Sequence, residues 1–298
     1  MRALALLFPV ALALAACGGD EPCYVHEGSV YVRSEAEWNA LVGKGCPVLR
    51  GDLVFVDDQA KLAEAPALAE VTGDLVVMSR SLEALRLPAL ERVGGGFQLR
   101  VNPALAEVHA PHLASVGGLW VRAQGGPLRL ALPALSQVGE GVLVDDNPGL
   151  LEVSLPALAS TDAYVAFYFN AGLTRIHLPA LVRTGDDLTV FDAPRLVELD
   201  LAATAAVGGD LRIGYCDVLQ TLSLPALRQV SWNLRLDYNA ALAGISLPAL
   251  ERAWSLDVVD NHALPECQVL ALRDRLVAAG AIRYASIYGN DAAAVCGP

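Results

Sequence analysis

The chain is predicted to fold as an all-β solenoid. It reads as a right-handed parallel β-helix of about ten coils, each 22–23 residues long, with a small disulfide-stapled α/β cap at either end. Three observations predict it. The tetrapeptide Leu-Pro-Ala-Leu recurs, with its proline position at Pro66, Pro88, Pro111, Pro133, Pro156, Pro179, Ala202, Pro225 and Pro248, always 22 or 23 residues apart. A fixed period in the twenties marks units that bury their apolar faces only against neighbours. A strict apolar-x-apolar pair accompanies every repeat. The 298 residues are 54% hydrophobic but only 6% aromatic, which suits thin layers of stacked Leu, Val and Ala.

Residues 1–16 read as a leader. Arg2 precedes an apolar stretch from Ala3 to Ala16, which closes on Leu14-Ala15-Ala16-Cys17-Gly18. This resembles the bacterial lipobox, and all four of its positions match. The resemblance implies cleavage before Cys17 and acylation of its thiol, with each buried methylene adding ~0.8 kcal/mol to membrane anchoring. The plainer alternative is an ordinary secretory signal, with Cys17 an incidental thiol. Gly18, rather than Asp, resembles outer-membrane sorting in Gram-negative bacteria, so the expected location is the cell envelope, lipid-anchored on the outer membrane.

Residues 17–50 form the expected linker and N-terminal cap, where Ser34-Glu35-Ala36-Glu37 reads as a capping box opening a short helix that carries Trp38 and Leu41. The solenoid itself spans 51–265. Its coils align on the column Asp58, Arg80, Asn102, Gln124, Asn147, Asn170, Ala193, Cys216, Asn239 and Asn261. Five and three residues before this column every position is apolar, from Leu53 and Phe55 to Leu256 and Val258. Such alternation is a strand with one face buried. Recurrent Asn predicts an amide ladder inside a turn, with Cys216 a small buried member of it. Leu-x-Leu supplies a second strand that bends at the proline, since a residue without an N–H belongs at a corner. Glycines such as Gly73 and Gly208 mark another turn. The expected coil spacing is ~4.8 Å, giving a stack ~45 Å long.

Residues 266–298 form the C-terminal cap. Helical spacing runs from Pro265 to Ala279, and a strand near Ile282–Ile287 follows. In an exported chain, Cys23–Cys46 and Cys267–Cys296 read as local disulfide staples on the two ends, each contributing about 3 kcal/mol.

These repeats, with Gly-Asp-Leu, an Asn turn and Leu-x-Leu-Pro-Ala-Leu-x-x-Val, resemble the receptor L-domain, a leucine-rich-repeat-like β-helix. The likeness covers about residues 51–265, and similar arrays occur in bacterial lipoproteins. The chain departs from receptors in having one long array and no kinase. That departure argues against hormone-type receptor signalling.

The formal charge of −12 disfavours nucleic acid and anionic lipid surfaces as partners. Outward strand positions concentrate Arg100, Trp120, Arg122, Tyr168, Phe191, Arg212 and Arg235 on one face, unusual in a chain so poor in aromatics. Aromatic and Arg side chains favour interface centres, so this face is the expected binding site. Asp187, Asp210 and Asn233 stack in one turn column and form a weak calcium candidate, though Asp and Asn also suit such turns. No other metal site, cofactor or catalytic constellation is found. Asp237 and Asp257 sit on adjacent coils without the long loops that wall an active site. The leading expectation is a surface-tethered, non-enzymatic recognition or adhesion module for an envelope or extracellular protein or glycan. A structural envelope spacer and a carbohydrate-active β-helix enzyme are the alternatives.

Overall fold

All twenty residues of the two predicted inward columns are buried in the computed structural model, which describes residues 24–45 and 47–296. They form the axis of a parallel β-solenoid. The register runs without slip along Leu119, Val142, Val165, Leu188, Leu211, Leu234 and Leu256. An inner coil has three strand segments, for example Gln137–Val138, Gly141–Asp145 and Glu152–Ser154. The first, short segment was not separated out by sequence reasoning. It follows the tetrapeptide and turns Val93, Val116, Val138, Val207 and Val230 into the core.

Three corners join the segments. Leu-Pro-Ala-Leu is a β-turn, as in the bond from Leu181 N–H to Leu178 O at 3.1 Å. Proline occupies the position whose φ it pre-sets, and both leucines point into the core. In several coils the bend before the middle segment carries glycine because coils touch there: a Cβ on Gly208 would collide with the Gly185 carbonyl.

The third corner is an arch with a left-handed residue followed by the buried Asn column. Val101, Ala123, Asp146, Phe169, Asp192, Tyr215, Tyr238 and Asp260 all have φ between 51° and 57°. In the next position Asn239 shows the logic. Its Oδ1 accepts the Cys216 N–H at 3.1 Å, and its Nδ2 donates to Ile213 O at 3.0 Å. Asn290 adds a further rung in the cap, donating to Val258 O at 2.8 Å. Gln124 is one methylene too long. Its Nε2 reaches Leu99 O, but its Oε1 is buried with no partner among the described residues.

The first two coils correct the expected column. Asp57 and Ser79 are the buried members, while Asp58 and Arg80 are exposed. These two turns contain no left-handed residue and reach the buried position one residue sooner. Ser79 nonetheless joins the ladder, donating its N–H to Asn102 Oδ1 at 2.8 Å.

Both ends continue the ladder with a helix in place of the third segment. Val25–Glu27 and Val30–Val32 pair with Val48–Arg50 and Leu53–Phe55, so the stack begins inside the segment expected as a cap. Between these lies α1 (Glu35–Val42), whose N-cap Ser34 accepts the Glu37 N–H at 3.3 Å. Trp38 and Leu41 are buried as predicted, and Trp38 packs edge-on against Phe55. At the far end α2 (Glu266–Ala278) precedes a strand, Tyr284–Tyr288, that pairs with Ser255–Val259. Cys267 and Cys296 form the expected disulfide. The leader, Cys17 and the Cys23–Cys46 pair lie outside the described residues.

The left-handed conformation costs an L-residue roughly 1–2 kcal/mol, most for a β-branched one. Val101 is exposed and gives up little packing. Val101→Gly is therefore expected to stabilise the chain by up to about 1 kcal/mol in urea unfolding; a loss of stability would contradict the strain assigned to this column.

Candidate functional site

Outward positions of the middle segment form two columns. One runs Gln98, Trp120, Leu143, Ala166, Thr189, Arg212, Arg235 and Asp257; the other runs Arg100, Arg122, Asp145, Tyr168, Phe191, Gly214, Asp237 and Val259. All seven predicted residues therefore share one sheet face, but they divide into two groups separated by the coil of Leu143 and Asp145.

In the first group, the Trp120 ring lies against Gly96 and Gly118, where a Cβ would collide with it. Arg122 pairs with Asp145 at 3.2 Å, and Arg100 is exposed.

The second group is denser. The Arg212 guanidinium sits 4.0 Å over the Phe191 ring and forks onto Asp237, at 2.6 and 3.1 Å. Gly214 lies between their coils, and a Cβ there would meet Asp237 Oδ1 at 2.9 Å. Hydrogen bonding to Asp237 raises the Arg212 pKa above its already high ordinary value, against the opposing effect of burial. Asp237 is 4% exposed, and the Arg212 fork is the ion pair that meets it there.

Sequence reasoning missed the rings beside this pair. Phe169, Tyr215 and Tyr238 occupy the left-handed position just before the Asn column, which turns them outward at 51%, 38% and 44% exposure. They join Tyr168 and Phe191 in one continuous row, with centroids 6.4, 6.1, 4.9 and 4.8 Å apart from Tyr168 to Tyr238. Hydrogen bonding to the adjacent Asp260 carboxylate raises the Tyr238 hydroxyl pKa. A groove lined by Tyr215 and Tyr238 of this row runs past Arg212, Arg235 and Asp257 and ends on Ser286 and Tyr288. A shorter stripe, also missed, stacks Trp232, Trp254 and Tyr284 at the glycine bend, with Arg283 over Trp254 at 4.8 Å.

The other sheet face is occupied by its own charges. Arg129 pairs with Glu152 at 2.7 Å and Arg175 with Glu198 at 2.8 Å, alternating in sign up the stack. The three oxygen residues of the calcium candidate are joined in a hydrogen-bonded relay. Asp187 Oδ1 accepts the Asp210 N–H at 2.7 Å, Asp210 Oδ1 accepts the Asn233 N–H at 2.9 Å, and Asn233 Oδ1 accepts the Ser255 hydroxyl at 2.8 Å. Asp52 and Asp74 do the same in the first coils. Cys216 is fully buried, and burial pushes its thiol up to about 12, so it stays a neutral rung of the ladder at pH 7.

Among the described residues, no helix is long and apolar enough to cross a membrane. Comparison of the chain with protein-family models, curated proteins and solved structures gives no match.

Burial raises the Asp187 pKa, with the Asp186 and Asp210 charges adding to it. A raised carboxyl pKa contributes stability below the unfolded value of about 3.9 and loses it as pH climbs through the folded value. Asp187→Asn keeps the acceptor and removes the charge. It is expected to stabilise the chain at pH 7, by well under about 1 kcal/mol for a partly buried group, read as a raised melting temperature, and to match the wild type near pH 3. An equal shift at both pH values would contradict this.

Proposed function

We propose that the chain is a non-enzymatic recognition or adhesion module that binds an envelope or extracellular protein or glycan through the outward face of its middle sheet. On this reading Cys17 carries the lipid that tethers it to the bacterial outer membrane, and the solenoid holds the face away from the bilayer. The observation that carries the proposal is the outward row Tyr168, Phe169, Phe191, Tyr215 and Tyr238, with Arg212 fixed between Phe191 and Asp237. Rigid aromatic side chains lose little entropy on binding and supply large contact areas. Their placement on a sheet pre-organises them further. Arg100, Trp120 and Arg122 extend the same face toward the N-terminus, beyond its centre.

Tyr215 and Tyr238 are exposed, and their removal leaves the core intact. The double variant Tyr215→Ala/Tyr238→Ala is expected to fold as the wild type does and to lose at least about tenfold in partner capture by crosslinking on intact cells, the loss of a single strong contact of ~1.4 kcal/mol or more. Full capture by the double variant would overturn the assignment of this face. A chain that captures no saturable partner at all would support a spacer role instead.

A further inference from the structure

The last rung of the solenoid is an uncovered sheet edge. Tyr284–Tyr288, with sequence Tyr-Ala-Ser-Ile-Tyr, pairs on one side with Ser255–Val259, and among the described residues no strand pairs with its other side. Tyr288 O accepts the Asp260 N–H at 2.9 Å. Alternation back from there directs the backbone groups of Ser286 and Tyr288 to the preceding coil and those of Ala285 and Ile287 outward; at the start of the strand it is the Arg283 N–H that bonds Trp254 O, at 3.0 Å. Natural sheet edges are blunted by charge, bulges or short length. This one is five residues long and uncharged, and it is flanked by Tyr284 and Tyr288 at 65% and 59% exposure.

We propose that this edge is completed by the same strand of a second copy, running antiparallel about a two-fold axis through Ser286. The strand is self-complementary in that register: Tyr284 falls opposite Tyr288, Ala285 opposite Ile287, and Ser286 opposite itself. The two outward-facing residues then meet as hydrogen-bonded pairs, each exchanging two bonds. Side chains keep their faces, Tyr beside Tyr on the outside and Ala beside Ile toward the two cores. Charge agrees as well. Arg283 comes opposite Gly289 of the second copy, against which the Asp260 carboxylate lies. A two-fold contact of this kind closes on itself and stops at two chains.

The candidate groove ends on Ser286 and Tyr288 of this strand. Pairing would join two grooves across the axis into one binding face of double length. That consequence rests on the function proposed above; the pairing itself does not, and its test needs no ligand.

The test uses the full chain in detergent. Sedimentation velocity is expected to show a monomer–dimer equilibrium. Ser286→Cys is expected to crosslink under mild oxidation, because the facing Cα atoms of a non-hydrogen-bonded pair lie about 4.5 Å apart. Tyr284→Cys alone leaves its thiols roughly 13 Å apart along the strand and should not crosslink, whereas Tyr284→Cys with Tyr288→Cys should. Ser286→Lys, which sets two ammonium groups face to face, is expected to give a monomer with an unchanged melting temperature. A chain that stays monomeric at all concentrations would overturn the proposal. So would assemblies growing beyond two copies, or Tyr284→Cys crosslinking as readily as Ser286→Cys. If Ser286→Lys fails to fold, the cysteine variants decide the register.

Discussion

A parallel solenoid stands or falls on its turns. Along the strands, every coil satisfies the backbone of its neighbour. At the corner between the middle and third segments the buried N–H groups of Ser79, Gln124, Cys216 and Asn239 each take a side-chain amide oxygen of the next coil in place of a backbone carbonyl. The solution repeated here is one left-handed residue followed by one buried amide. The left-handed residue costs free energy at each coil. The amide offsets it by accepting the N–H of one coil and donating to a strand carbonyl of that same coil, as Asn239 does with Cys216 and Ile213. An unmet buried group would cost about 1–3 kcal/mol, so the strain is the smaller of the two penalties.

That arch also determines what the surface displays. A left-handed residue cannot point into the core alongside its neighbours, so the position before each Asn faces solvent. Where it is Phe169, Tyr215 or Tyr238, an aromatic ring is held out on a rigid frame next to Phe191 and Arg212. The arrangement depends on a chain of neighbours. Gly214 leaves room for Asp237, Asp237 fixes Arg212, and Arg212 covers one face of Phe191. Each link is set by coil spacing, which explains how a fold without long loops can still build a shaped site.

Much of this was legible in the sequence because it is periodic. The inward columns, the tetrapeptide corner, both cap helices and the Cys267–Cys296 pair follow from spacing, capping chemistry and cysteine placement. What escaped has no periodic signature. Positive φ at eight non-glycine residues cannot be read from Val, Ala, Asp, Phe and Tyr, so the outward rings before the Asn column were passed over. The early turn in the first two coils escaped too, because Asp57 and Ser79 stand beside equally polar Asp58 and Arg80. Trp120 was read as an exposed contact. Its resting place depends on Gly96 and Gly118, glycines visible in the sequence whose proximity only the stacked register reveals.

The same constraint explains the ends. A helix can replace the third segment, because that side needs only an apolar cover, and Trp38 and Leu41, or Val269 and Leu276, provide it. The middle segment instead continues as a strand, Tyr284–Tyr288, whose outer edge has no strand partner among the described residues. The central claim, that the buried amides hold the coils in register, is tested most directly by hydrogen exchange at the Cys216 amide in Asn239→Ala. Loss of protection at Cys216, with protection kept in distant coils, is the result this account predicts; a Cys216 amide as slow to exchange as in the wild type would contradict it.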